Sequence, residues 1–211
     1  MDVNAMSNNA AGGGHKTPPD YELAGHWHLA AMKGWGLVTL LAGGFCVFGV
    51  TFILGVVARG MLQGVGEFRI SVFLAFPIFL AIIAAFVILH EGVHGLGYLV
   101  FGGKPRFGAK LIGGFFPVVY ASATGPLLSG NQYLLVGLAP FLALTPLFLL
   151  TGILAPDDGI AIIALTAMAM NIAGSTGDLV AAWKVRQLGG GTLFEDTADG
   201  FNWYRPSRPN L

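Results

Sequence analysis

The sequence predicts an all-α membrane protein of about four transmembrane helices, with one small β-hairpin or re-entrant segment between the second and third. Three observations carry that prediction. Hydrophobic residues make up 55% of the 211 residues and charged residues only 10%, where soluble domains carry about 25% charged. The mean hydropathy is +0.70. Several uncharged stretches are also long enough to cross the ~30 Å hydrocarbon core of a bilayer as helices. The lipid bilayer is the partner this composition implies, and the formal net charge of zero means that bulk electrostatics suggest no nucleic-acid partner. The single cysteine, Cys46, lies in an apolar stretch and excludes an internal disulfide.

Residues 1–33 read as an N-terminal tail. Residues 1–20 are rich in Asn, Gly and Pro and are expected to be disordered. Tyr21 to Trp35 mixes aromatic and polar residues and is expected at the membrane interface, with Trp27 and Trp35 as anchors. No compact apolar core with a cleavage site opens the chain, so no removable signal peptide is expected. His26 and His28 form an H-x-H pair that can share a metal only on extended backbone, because a helix points them about 200° apart.

The membrane-embedded domain is placed at residues 34–186. Gly34 to Ala58 lies uncharged between Lys33 and Arg59 and forms the first span. Ser71 to about Tyr98 forms the second, with Pro77 inside. Between Gly102 and Gly130 lie Lys104, Arg106 and Lys110, then two strand-prone runs, Phe107–Leu111 and Pro117–Ala121, around Gly113-Gly114. Irregular backbone at membrane depth survives only against protein or water, so this hairpin is expected beside the preceding helix. A plain connecting loop is the alternative. Asn131 to Ala155 is the third span, containing Pro140 and Pro146. After the turn Pro156-Asp157-Asp158, Gly159 to about Trp183 is the fourth, interrupted by Asn171 and Asp178. Residues 187–211 read as a C-terminal tail with a small hairpin over the membrane surface. Four spans put Lys16, Lys33, Lys104, Arg106, Lys110, Lys184, Arg186, Arg205 and Arg208 on one side and Arg59 and Arg69 on the other. The positive-inside rule then makes both termini cytoplasmic, in a multi-pass protein of a prokaryotic plasma membrane.

The chemistry concentrates at the end of the second span, where His90-Glu91-Gly92-Val93-His94 reads H-E-x-x-H. Four helical residues advance about 400°, so both imidazoles leave one face about 6 Å apart. They can fill two corners of a tetrahedral zinc site, with Glu91 beside them as a general base toward water. The plainer reading has the histidines capping a buried helix and Glu91 paired with a Lys or Arg. Ionisable groups at the end of a hydrocarbon-length helix are costly, which favours a function.

A catalytic zinc takes three protein ligands. Asp178 is the third candidate by depth. Both it and His90 lie 19 residues from the outer ends of inward-running spans, whereas Asp157 and Asp158 lie at the opposite surface. A pairing of Asp178 with Lys184 or Arg186 is the alternative. Asn171, two turns before Asp178, is a candidate catalytic residue that hydrogen-bonds substrate or a developing oxyanion, or else polar glue between helices.

HEGVHGLGYLVFGGKPRFG followed by NIAGSTGDLVAAWKV resembles the membrane zincin peptidases, a family related to the site-2 intramembrane metalloproteases. The resemblance covers roughly residues 70–205, including GGKPRFG and EDTADGF. It implies zinc held by His90, His94 and Asp178, Glu91 as the base, and hydrolysis of peptide bonds in a transmembrane protein or peptide substrate. Site-2 proteases carry Asn, then Pro three residues on, then Asp-Gly. This chain has Asn171, Gly174 and Asp178-Leu179, a departure that touches the role of Asn171 most. Two rival classes remain: a non-catalytic metal-binding assembly protein, and a metal transporter, for which ligands at the midplane would be usual.

Overall fold

The computed structural model describes residues 17–28, 35–64, 71–112, 116–197 and 200–207. The expectations for residues 1–16, for Gly113-Gly114 and for residues 208–211 lie outside these. In chain order the elements are β1 (Tyr21–His28), α1 (Trp35–Gln63), α2 (Val72–Val100), β2 (Lys104–Ile112), β3 (Phe116–Thr124), β4 (Leu128–Ser129), α3 (Gly130–Leu154), α4 (Asp158–Gly174), α5 (Thr176–Leu188), β5 (Leu193–Thr197) and β6 (Gly200–Pro206). Four helical stretches among them are long and apolar enough to cross a membrane: Ala42–Gln63, Phe76–Val100, Gly130–Leu154 and Asp158–Leu188. Side chains such as Phe45, Phe73 and Ile88 face outward from this bundle.

The all-α expectation is corrected, because the fold is mixed helix and sheet. The hairpin between the second and third spans is present as β2–β3, with Ala109 opposite Val119. The hairpin expected in the C-terminal tail is present as β5–β6, and what was not foreseen is that it belongs to a second sheet, ordered β1-β6-β5-β4. Its β1 and β6 come from the segments expected as two separate tails, with Trp27 opposite Phe201. Alternation explains its faces. Phe194, Phe201 and Trp203 turn toward the helices, where Phe194 and Phe201 join Tyr98, Tyr133, Val136 and Val185 in the core. The fourth span is also not one helix. Ser175 separates it into α4 and α5, although its backbone stays in the right-handed helical region and the Leu179 N–H still donates to the Ser175 carbonyl at 2.9 Å.

Close approach of the helices rests on small residues. On α4, Ala161, Leu165 and Ala169 have no exposed surface. Leu165 plugs the space between α1 and α3, where a Cβ on Gly55 or Gly152 would collide with its side chain. At the end of the bundle remote from the histidines, Arg59 of α1 hydrogen-bonds the carbonyls of Gly152 and Ala155 at 3.2 and 2.9 Å and pairs with Asp158 at 2.6 Å. One guanidinium thus satisfies carbonyls at the C-terminus of α3 and joins it to α1 and α4. At the opposite end of α3, Ser129 and Gln132 form a capping box.

Candidate metal centre

The structure brings His90, His94 and Asp178 together. One ligating atom from each lies within 4.8 Å of the others. His90 Nε2 and His94 Nε2 stand 3.3 and 3.6 Å from the same carboxylate oxygen, Asp178 Oδ2. Both histidines are buried, at 6% and 8% exposure.

What holds the rings in this pose follows from the helices behind them. Asn171, on α4, has no exposed surface. Its amide NH2 donates to the Pro140 carbonyl and to Thr145 Oγ1, both at 3.0 Å, which turns Oδ1 toward His90 Nδ1 at 3.0 Å. That acceptor makes His90 Nδ1 the protonated nitrogen and leaves Nε2 with its lone pair facing Asp178. His94 is oriented in the same way. Its Nδ1 donates to the Val136 carbonyl at 2.9 Å. Val136 lies four residues before Pro140, and proline has no N–H to offer the carbonyl of residue i−4. The helix therefore releases a carbonyl where the imidazole needs an acceptor. Gly97, one turn after His94, lets α3 come close enough, since a Cβ there would lie 3.2 Å from Val136 Cγ2.

The donor set fits a cation. Two imidazole lone pairs and one carboxylate oxygen face one another, and no N–H or O–H among the described residues donates to the buried Asp178 Oδ2. Three electron-pair donors so close repel unless a positive charge lies among them. Bonds of ~2.0–2.1 Å at tetrahedral angles place neighbouring ligand atoms about 3.3 Å apart, close to the two separations of the imidazoles from Asp178, and an N, N, O set suits zinc.

A cavity of about 210 Å³ opens on these atoms. Glu91 lines it beside the histidines, Val118–Ala121 of β3 form one wall, and Trp27, Asp196, Thr197 and Gly200 of the terminal sheet form another. The hairpin sits against the motif helix at Gly95, where a Cβ would meet the Phe107 ring at 2.6 Å. Asn171, read from the sequence as a contact to substrate or as polar glue between helices, has its amide hydrogen-bonded to His90, Pro140 and Thr145 and is not among the residues that line the cavity. His26 and His28 do lie on extended backbone, with ring centroids 5.1 Å apart, but no third His, Cys, Asp or Glu among the described residues joins them as a metal-holding group. One feature of the cavity was missed by sequence reasoning. Asp196 of β5 accepts hydrogen bonds from Tyr98 and Tyr133, the latter at 2.8 Å. The signal for it was Tyr98, one turn past His94 on the same helix face.

Fold and site together define a mixed helix-and-sheet protein in which His90, His94 and Asp178 form a group that could hold a metal ion, with Glu91 lining the same cavity. A family model described as "Putative zincin peptidase" matches residues 83–192, just over half of the chain, and the chain belongs to that family. The family name suggests a zinc metallopeptidase. No curated protein and no solved structure matches the chain.

Proposed function

We propose that this protein is an intramembrane zinc metallopeptidase, related to the site-2 proteases, which hydrolyses peptide bonds of membrane-protein substrates near the cytoplasmic side. The observation that carries the reading is the convergence of His90 Nε2 and His94 Nε2 on Asp178 Oδ2 beside Glu91, with each ring held from behind. Family membership and four helices long enough to cross a bilayer support it. The Lys/Arg distribution supports cytoplasmic termini.

His90, His94 and Asp178 would hold the ion. Zinc supplies Lewis acidity there and lowers the pKa of water toward ~7. Asn171 and the Val136 carbonyl keep both imidazoles in the tautomer that presents Nε2. Glu91 is placed to accept a proton from water and deliver it to the leaving nitrogen. A helix buries its peptide groups, so a transmembrane substrate must be extended to react. β3 pairs with β2 along one edge and its residues Val118–Ala121 line the cavity. They can hold an extended segment by strand addition.

The test compares wild type with Glu91→Gln on a candidate membrane substrate, with zinc content measured in both. Gln keeps size and hydrogen bonding but cannot take the proton. Both proteins are expected to carry zinc and only wild type to cleave. Equal cleavage by the two would overturn the proposal.

A further inference from the structure

We propose that Asp196 is a specificity determinant of this cavity, selecting substrates that place a lysine or arginine side chain beside the bond to be cleaved. The inference rests on the peptidase reading above and names its substrate class. Asp196 comes from β5 and lines the same cavity as Val118–Ala121 of β3. It is fixed from behind by Tyr98 of α2 and Tyr133 of α3, whose hydroxyls donate to its two different oxygens. Both tyrosines are buried, at 5% and 8% exposure. A carboxylate has about four acceptor positions, and the phenols use two. The rest remain for a ligand, on a group whose orientation is already set.

Charge counting says what that ligand is. Three carboxylates line the cavity, those of Glu91, Asp178 and Asp196, and no Lys or Arg among the described residues does. A divalent ion would be held by His90, His94 and Asp178, and Asp196 is not in that ligand group. Asp196 is the carboxylate left over. A cationic side chain answers it with a charge-assisted hydrogen bond. Such side chains are also what a substrate brings to this depth, because cytoplasmic flanks of membrane spans are enriched in Lys and Arg. A carboxylate that only tied β5 to the helices would give no such discrimination.

The experiment measures binding, without cleavage, to full-length Glu91→Gln protein loaded with zinc in detergent at pH 8. The probes are three membrane-flanking peptides that differ at one position, carrying Lys, norleucine or Glu. The Lys peptide is expected to bind about tenfold more tightly than the norleucine peptide, the worth of one charge-assisted contact, and the Glu peptide more weakly than either. In Glu91→Gln/Asp196→Asn the Lys and norleucine peptides should bind within about twofold of each other. Equal affinity for Lys and norleucine in the Glu91→Gln protein would overturn the proposal, and that result needs no change at Asp196. A Lys preference that survives Asp196→Asn would overturn it too. Cleavage by wild type against Glu91→Gln tests the peptidase reading separately, so the two can fail independently.

Discussion

Replacing Asn171 separates a positioning role from a catalytic one. Three hydrogen bonds of 3.0 Å converge on this fully buried amide, from His90 and to Pro140 and Thr145. Each is worth roughly 0.5–1.5 kcal/mol net, so their loss costs about 1.5–4.5 kcal/mol of stability. Asn171→Leu keeps the branched outline, with bulkier methyl ends, and leaves the His90 Nδ1–H without its acceptor in an apolar surround. The imidazole can then turn or change tautomer. Loss of such an outer partner typically lowers metal affinity about 10–100-fold. The assay is zinc binding in competition with a chromophoric chelator, followed by substrate cleavage at saturating zinc. The expected result is weaker zinc binding, with cleavage largely restored once the site is filled. Unchanged zinc affinity together with lost cleavage at saturating zinc would refute the reasoning and return Asn171 to contact with substrate.

Three further outcomes follow from the packing. Gly97→Ala puts a Cβ 3.2 Å from Val136 Cγ2 and 3.4 Å from Val136 Cα; it should part α2 from α3 slightly and weaken zinc binding several-fold, while Gly49→Ala, whose Cβ meets nothing within 4 Å, should not, and equal zinc titrations for the two would count against the Val136 contact. Arg59→Met leaves Asp158 and the α3 carbonyls without their partner, so the thermal midpoint in detergent should drop by the equivalent of about 2–4 kcal/mol and Arg59→Lys should recover only part of it; an unchanged midpoint would dismiss the clamp. Burial raises the Asp196 carboxyl from 3.8 to about 7 against the opposing hydrogen bonds from Tyr98 and Tyr133. The folded state therefore holds that proton more firmly, and the associated stability is complete below about pH 4 and is lost as pH rises through about 7. Limited proteolysis of the C-terminal hairpin should accelerate over that window in wild type and not in Asp196→Asn; parallel pH profiles would refute the linkage.

Much of the site's neighbourhood was legible because helical geometry is regular. H-E-x-x-H fixes two imidazoles on one face wherever the segment is helical, and residue counting along the second and fourth apolar stretches was enough to bring Asp178 level with them. The hairpin was legible from its glycine-broken strand pattern between two apolar runs. The C-terminal hairpin, seen as β5–β6, was legible too, but the sheet it joins was not. Pairing of β1 with β6 joins residues at opposite ends of the chain, and no local pattern in Tyr21–His28 names its partner. The break at Ser175 was hidden by continuous hydropathy, although Gly174-Ser175-Thr176-Gly177 is a poor helix interior. The role of Pro140 was present in the sequence but mute. A proline in a span advertises a freed carbonyl four residues earlier, yet only the fold shows that His94 lies beside it.

The contacts described around the histidines hold three possible ligand atoms together, so the most direct measurement is zinc per chain in purified protein. Wild type and Glu91→Gln should each carry one zinc, and His94→Ala and Asp178→Ala should lose it while retaining their helix content. Wild type that binds no zinc, or an Asp178→Ala variant that keeps its zinc with undiminished affinity, would contradict the account.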